Sequence, residues 1–130
     1  MPFARISLLN GKPPEYLRAL SDGLHRALVA AYEVPPEDRF QAIHPLGPGE
    51  LIFDRHYRGG PRSDDFVLIH IVAGRARSRA VKEAFYRRLA EELAASPGVR
   101  PEDVMVVIST TGAEDWSFAA GVMTPVGPPQ

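Results

Sequence analysis

The 130-residue chain contains no cysteine, which removes several kinds of chemistry at once. It can form no disulfide, present no thiol nucleophile and hold no metal through thiolate ligands. The absence also favours a cytoplasmic location, because disulfides belong to oxidising compartments. Fifteen basic residues balance 16 acidic ones, so no bulk charge attracts nucleic acid or an anionic membrane surface.

Long apolar runs and metal-type ligand spacings are also missing. No apolar stretch is long enough to cross a bilayer, and Arg5 interrupts the first stretch, so a signal-peptide pattern is not expected. The histidines lack the spacing of a metal site; they are His25, His44, His56 and His70. There is no glycine-rich phosphate loop either. We therefore expect a protein that uses no metal or organic cofactor.

The first positive signal is at the N-terminus, where Met1 directly precedes Pro2. An initiator methionine before a small residue such as proline is normally removed, and the mature chain would then begin with a free secondary amine. An α-amino group has a pKa of roughly 7.7–8.0, so modest burial or a nearby charge can choose its protonation state. Pro2 is therefore a candidate general base, cationic acid or amine nucleophile toward carbonyls.

The second signal is an internal repeat, because the sequence aligns with itself without a gap at a shift of 65 residues, half of its length. Each copy, about residues 2–60 and 66–121, is predicted to contain a strand, a helix, a Pro-Glu-Asp turn and a second strand. The predicted strands are 2–9, 40–45, 67–73 and 104–110, with helices at 14–32 and 79–95 and a short strand at 50–54. Pro13 and Pro14 fit a first helical turn, and Ser78 is a candidate N-cap.

These elements predict one α/β (α+β) domain over residues 1–130, with two helices on one face of a single sheet. A helix that crosses between two strands makes them parallel. Alternation along the first strands gives one wholly apolar face and one mixed face; the mixed face contains Phe3, Arg5, Ser7, Leu9, Leu68, His70 and Val72. Large apolar residues on an uncovered face indicate contact with other subunits. His70 lies on this face, and we favour a structural role for it at such an interface over a catalytic one.

The two copies differ at the positions where chemistry is expected. Pro2 aligns with Val67, so only the first copy can supply the amine. If the two first strands pair antiparallel, the start of one adjoins the end of the other, and Pro2 would then lie beside Arg75 and Arg77. Two guanidiniums next to a helix N-terminus form a candidate carboxylate site. The alternative is that both arginines are solvated surface charges.

Asp38 and two aromatic residues each allow two interpretations. Asp38 has a counterpart, Asp103, in the same Pro-Glu-Asp turn, so a turn or capping role explains both copies. Asp38 can instead face the Pro2 end of the sheet. Trp116 and Phe118 can form an aromatic wall of a pocket or belong to the core.

Five short features occur in a characteristic order: an amino-terminal proline in tandem strand–helix–strand units, Pro-Glu-Asp-Arg-Phe-Gln, Pro-Gly-Glu-Leu, Arg-Ala-Arg-Ser and Asp-Trp-Ser-Phe. Together they resemble the tautomerase superfamily, and within it the malonate semialdehyde decarboxylase group, over residues 2 to about 121. The resemblance implies a homotrimer with one active site per chain and no metal or organic cofactor. It also implies the site residues, which are the catalytic amine Pro2, its partner Asp38, the carboxylate-binding and carbonyl-polarising pair Arg75 and Arg77, and the pocket-lining Trp116 and Phe118.

Three functions remain open at this point. The resemblance implies a cofactor-independent decarboxylase or hydratase of a small 3-oxo acid such as malonate semialdehyde. Decarboxylation would use a cationic Pro2, or a neutral Pro2 that forms a Schiff base with the aldehyde. A keto–enol tautomerase of 2-oxo acids such as phenylpyruvate is the second, and it would use a neutral Pro2 as base. The third is a non-catalytic trimeric binding protein on the same scaffold.

Overall fold

A computed structural model describes residues 2–125 of the chain. Four strands form one sheet; they are β1 (Pro2–Leu9), β2 (Gln41–Leu46), β3 (Val67–Ala73) and β4 (Val104–Thr110). Helix α1 (Pro14–Ala31) connects β1 to β2, and helix α2 (Arg79–Ala95) connects β3 to β4. Met1, whose removal the sequence predicts, lies outside the described residues, as do residues 126–130. The assignment of all 130 residues to one domain of two repeats stays a prediction.

The strand pairing confirms the predicted topology. The strand order is β2-β1-β3-β4, with β1 and β2 parallel, β3 and β4 parallel, and the central pair β1 and β3 antiparallel. Strand β2 begins one residue later than predicted, because Phe40 contributes only its carbonyl, 3.0 Å from the Ala4 amide nitrogen. The paired register of β1 and β2 then starts with Ala4 opposite Gln41. Pro45 is tolerated in β2 because this is an edge strand.

The helix boundaries follow local sequence signals. Helix α1 has Pro13 at its N-cap and Pro14 at its first position, where the missing N–H costs nothing. The Ser78 hydroxyl accepts a hydrogen bond from the Val81 backbone N–H at 3.2 Å, which confirms the predicted N-cap of α2.

The core lies between one face of the sheet and the two helices, as the apolar alternation predicts. Its members are buried; from the strands they include Ala4, Ile6, Leu8, Val67, Ile69 and Ile71, and from the helices Leu20, Leu24, Leu28, Phe85, Leu89 and Leu93. Residues on the other face are partly or fully exposed along β1, β3 and β4. In the part of the chain that is described, no helix has the length and apolar character to cross a membrane.

The short strand predicted at residues 50–54 is wrong. The backbone N–H groups of Glu50 and Leu51 both donate to the Gly47 carbonyl, at 2.9 and 3.1 Å, so this segment begins as a turn. Local bonds of this kind use the backbone groups that a sheet partner would need. The segment is instead attached by its side chains, since Phe53 stacks on the buried Phe66 with ring centroids 4.2 Å apart.

Candidate active site

Pro2 is buried at the first position of β1, where two neighbouring segments converge on it. Antiparallel pairing places Pro2 opposite Ala73, the last residue of β3. On its other side, the Phe40 carbonyl accepts a hydrogen bond from the Ala4 backbone N–H at 3.0 Å. The turn before β2 therefore ends beside Pro2, and the loop after β3 begins there. These two segments carry the predicted polar residues.

Arg77, in the loop after β3, is almost fully enclosed, with 1% of its side chain exposed. Its Nε donates to the Tyr32 carbonyl at 3.2 Å and its Nη1 to the Arg75 carbonyl at 3.0 Å. The guanidinium carbon lies 4.4 Å from the centroid of the Tyr32 ring, a cation–π contact. Arg77 is therefore not a solvated surface charge, and that alternative is wrong for this residue.

The electrostatics of the loop follow from this enclosure. Burial, followed by the positive charge of Arg75, lowers the pKa of Arg77, while the charges of Glu33 and Asp38 act in the opposite direction. Burial also raises the pKa of Tyr32, against the opposing effect of Arg77. Because an arginine starts from so high a pKa, Arg77 stays charged at neutral pH and presents a poorly hydrated cation.

Arg75 differs from Arg77 in exposure but faces the same neighbour. Its side chain is 36% exposed, and its Nη2 lies 3.0 Å from Oε1 of Glu33. The same Glu33 oxygen lies 4.0 Å from Nε of Arg77. The arginine pair thus already binds a carboxylate of the protein itself. This is the kind of group that the sequence analysis predicts the two arginines to bind.

Asp38 and its repeat counterpart Asp103 are used differently. Asp103 is fully buried and accepts hydrogen bonds from the Ser63 backbone N–H and hydroxyl, both at 2.7 Å, and from Nε of Arg100 at 3.2 Å. Asp38 is half-buried, and its negative charge opposes part of the lowering of the Arg77 pKa. The structure therefore brings Asp38 to the arginine end of the sheet and leaves Asp103 in a structural network.

The predicted aromatic pair lies over the same end of the sheet. Trp116 and Phe118 stack with ring centroids 5.7 Å apart, and the Phe118 ring is 5.8 Å from that of Phe40. Phe40 and Phe118 are 52% and 50% exposed, so the three rings form an open apolar surface rather than part of the core.

Thr111 ties this aromatic surface to the strand that pairs with Pro2. Its hydroxyl and its backbone N–H both donate to the Ala73 carbonyl, at 2.7 and 2.8 Å. The same hydroxyl accepts the indole Nε1–H of Trp116 at 2.7 Å. Trp116 is thereby held near Pro2 through two hydrogen bonds. Among residues 2–125, no group of three or more histidines and carboxylates is placed to hold a metal ion.

Comparison with known proteins decides the family. Two family models, both described as tautomerase enzyme, match the chain over residues 38–119 and residues 2–57. The chain belongs to the tautomerase superfamily.

The similar proteins match nearly the whole length of the chain. The probable tautomerase YusQ of Bacillus subtilis (strain 168) is 34% identical over 121 residues, 93% of this chain and 95% of the relative. Crystal structures of malonate semialdehyde decarboxylase are similar at 33% identity and a TM-score of 0.86, covering 92% of both chains. A fused wild-type 4-OT symmetric trimer, at 20% identity and a TM-score of 0.74, covers 94% of this chain and 95% of that one and shares the fold.

Three further residues lie at the candidate site that the sequence analysis does not single out. Glu33 contacts both arginines, Tyr32 supports Arg77, and Thr111 positions Trp116. Glu33 and Tyr32 follow the apolar pattern of α1 directly, and Thr111 follows β4 with no motif around it. Their roles depend on contacts across the fold, which the spacing along the chain does not encode.

Proposed function

We propose that this member of the tautomerase superfamily is a cofactor-independent decarboxylase and hydratase of a small 3-oxo acid such as malonate semialdehyde, with Pro2 as its catalytic amine. The proposal is carried by the pairing of Pro2 with the last residue of β3, the strand that leads into the loop with the buried Arg77. The half-buried Asp38 acts electrostatically on that same arginine. The similarity to malonate semialdehyde decarboxylase, at 33% identity over 92% of both chains, supports the same substrate class.

Decarboxylation needs a stabilised enolate. In 3-oxopropanoate the C1–C2 bond breaks, its electron pair forms the enolate of acetaldehyde, and CO₂ leaves. Arg75, which is partly exposed, holds the departing carboxylate, while Arg77 and a cationic Pro2 stabilise the forming enolate oxygen. Pro2 then gives its proton to C2, which yields acetaldehyde, and solvent restores the proton. A neighbouring subunit that covers the open aromatic surface would exclude water and strengthen each of these charge interactions.

Hydration of an acetylenic or haloacrylic acid uses the same groups in other roles. Asp38 takes a proton from a water molecule, the resulting hydroxide attacks the unsaturated carbon, and Pro2 delivers a proton to the neighbouring carbon. Arg75 and Arg77 hold the carboxylate throughout, so no further group is needed.

We also propose a homotrimer with one site per chain, as the family resemblance implies. The uncovered sheet face supports assembly, because Met105 and Val107 on it are 43% and 44% exposed. Phe40 and Phe118 are half-exposed at the site itself. A neighbouring subunit that covers these rings would complete the apolar wall.

Keto–enol tautomerisation of 2-oxo acids is the second candidate function. Two relatives, YusQ and YrdN, are described as probable tautomerases at 34% and 32% identity. The paired guanidiniums also favour it, because nearby positive charge lowers the pKa of an amine and makes Pro2 a better neutral base.

Two substrates separate the candidates. We expect the purified protein, with removal of Met1 verified by intact mass, to release acetaldehyde and CO₂ from malonate semialdehyde faster than it consumes phenylenolpyruvate. The reverse ranking would favour the tautomerase.

Pro2→Ala should lower the rate by about 10²- to 10⁴-fold, the usual contribution of a positioned acid or base. Arg75→Ala should also lower it, whereas the matched control Arg79→Ala, whose side chain is 93% exposed, should not. Full activity of Pro2→Ala would refute the role of the amine.

A further inference from the structure

Glu33 has a backbone conformation that its side chain does not favour. It follows the end of α1 with φ = 59°, in the left-handed region where the Cβ atom of an L-residue is crowded. The repeat places Gly98 at the equivalent position after α2, and its φ is 105°. Glycine is the usual residue at this position because it has no Cβ. The first copy therefore has a strained glutamate where the second copy has a glycine, which adopts this backbone conformation without strain.

Glu33 carries its negative charge beside the two arginines, whereas the equivalent glycine carries none. Its Oε1 lies 3.0 Å from Nη2 of Arg75 and 4.0 Å from Nε of Arg77. The repeat counterpart of Arg77 is Lys12, and the counterpart of Glu33 is Gly98, which has no carboxylate to offer. Backbone strain that persists beside a candidate site is a reason to look for a function of the strained residue.

We propose that the Glu33 carboxylate occupies the arginine site in the free protein and that the acid substrate must displace it from Arg75. The proposal rests on the proposed function, because it takes Arg75 and Arg77 to be the site of the substrate carboxylate. Glu33 is then an internal competitor that sets how strongly a small acid has to bind. A neutral carbonyl compound cannot displace it, whereas an acid that makes two hydrogen bonds to a guanidinium can.

The ion pair has the properties that displacement requires. Side chains of Glu33 and Arg75 are 54% and 36% exposed, so the pair is hydrated and weak. Arg77 does not depend on it, because the carbonyls of Tyr32 and Arg75 and the Tyr32 ring already hold its guanidinium. Removal of the Glu33 charge therefore frees Arg75 for an external acid and leaves Arg77 in place.

Propanoate, an unreactive acid of the same length as the proposed substrate, tests this with the full chain. We expect Glu33→Gln to bind propanoate roughly two- to fivefold more tightly than the wild type in isothermal titration, the range typical of an exposed ion pair. The gain should shrink as salt is added, because salt screens the competing pair. Glu33→Gly should show the same gain in affinity. Because glycine adopts the left-handed backbone conformation without strain, this variant controls for a loss of folding in Glu33→Gln. Glu83→Gln, in the exposed pair with Arg79 on α2, is the matched control and should not change binding.

Two results would overturn the proposal and are distinguishable from each other. Unchanged or weaker propanoate binding in both Glu33 variants, with binding lost in Arg75→Ala, would refute the role of Glu33 and leave the carboxylate site standing. Propanoate binding that is unaffected by Arg75→Ala would refute the carboxylate site itself, and the role of Glu33 with it.

Discussion

At the scale of single residues, exposure separates charges that the sequence presents as equivalent. Arg75 and Arg77 are two positions apart, yet their side chains are 36% and 1% exposed. The buried guanidinium is fixed by backbone carbonyls and an aromatic ring, so it supplies a permanent positive potential. The exposed one is held by a single carboxylate and can change partner. A fixed cation beside an exchangeable one fits a site that must first capture an acid and then stabilise its charge as it moves.

The left-handed backbone of Glu33 makes a separate prediction about stability. Glu33→Gly and Glu33→Ala both remove the carboxylate, but only glycine relieves the crowding at φ = 59°. We expect the glycine variant to be more stable than the alanine variant by about 1 kcal/mol in urea unfolding. Gly98→Ala, at the equivalent position with φ = 105°, should be destabilised for the same reason. Equal stabilities of the two Glu33 variants would show that the position carries no strain.

Several candidate site residues stand at positions where the two copies disagree. Arg75 and Arg77 replace Asn10 and Lys12 of the first copy, and Pro2, which its place after Met1 already marks, replaces Val67 of the second. Glu33 is also such a position, since its counterpart is Gly98, but it stands at a helix end and gave no chemical signal. The role of Glu33 depends on its contacts with the loop after β3, which belongs to the other half of the chain. A comparison of local positions cannot reveal that kind of contact.

At the scale of elements, the two Pro-Glu-Asp turns show how a repeated motif acquires two roles. The second turn is anchored by Asp103, whose buried carboxylate collects hydrogen bonds from Ser63 and Arg100. The backbone closes both turns in the same way, since the Asp38 N–H donates to the Pro35 carbonyl at 3.0 Å and the Asp103 N–H donates to the Arg100 carbonyl at 2.9 Å. Asp38 in addition places a negative charge near Arg77. Identical turn sequences predicted both turns correctly but could not assign these roles.

The Asp103 network predicts a pH-dependent loss of stability. Burial alone would raise the pKa of Asp103, but the hydrogen bonds from Ser63 and Arg100 outweigh it and lower the pKa below its ordinary value. The stabilisation is therefore present above about pH 4, the ordinary pKa of aspartate, and is lost as the pH falls through the lowered pKa. We expect Asp103→Asn to cost about 2–3 kcal/mol at pH 7, because buried donors lose a charged acceptor.

Urea unfolding at pH 7 and at about pH 3 measures this effect, since the lower pH lies below the ordinary pKa of an aspartate and the carboxyl of the unfolded chain is then largely protonated. The difference between wild type and Asp103→Asn should be smaller at the lower pH, because the free energy gained by keeping Asp103 charged in the folded state is smaller there. Glu102→Gln changes the neighbouring carboxylate, which is 46% exposed, and should leave stability nearly unchanged. A difference that does not depend on pH would mean that the charge of Asp103 is not what stabilises the turn.

Sequence periodicity predicted both helices and all four strands to within one residue but also added a strand at residues 50–54. The reason is physical: alternation is a reliable signal only where a partner strand exists. In that segment Leu51 is buried and Phe53 stacks on Phe66, so apolar residues are explained by side-chain packing of a loop. The backbone there closes a turn at Gly47.

At the scale of the whole molecule, the two faces of the sheet have opposite environments. One is covered by α1 and α2 and holds the core. The other keeps polar and apolar side chains in contact with solvent, including the His70 Nε2 and Ser109 Oγ pair at 2.9 Å and the exposed Met105 and Val107. An apolar stripe on β4, an edge strand, is a surface on which a second chain can pack.

The proposed trimer therefore makes a test at β4 decisive. Val107 lies on the uncovered face, opposite His70 in the parallel register, and is 44% exposed. Val107→Lys should leave the fold of each chain intact, because the side chain does not reach the core, but it places a charge in the proposed interface. We expect the mass measured by sedimentation to fall from that of three chains toward that of one. Activity should also be lost if a neighbouring subunit completes the aromatic wall. Ala84→Lys, on the exposed side of α2, should remain trimeric. A Val107→Lys protein that sediments like the wild type would place the interface elsewhere.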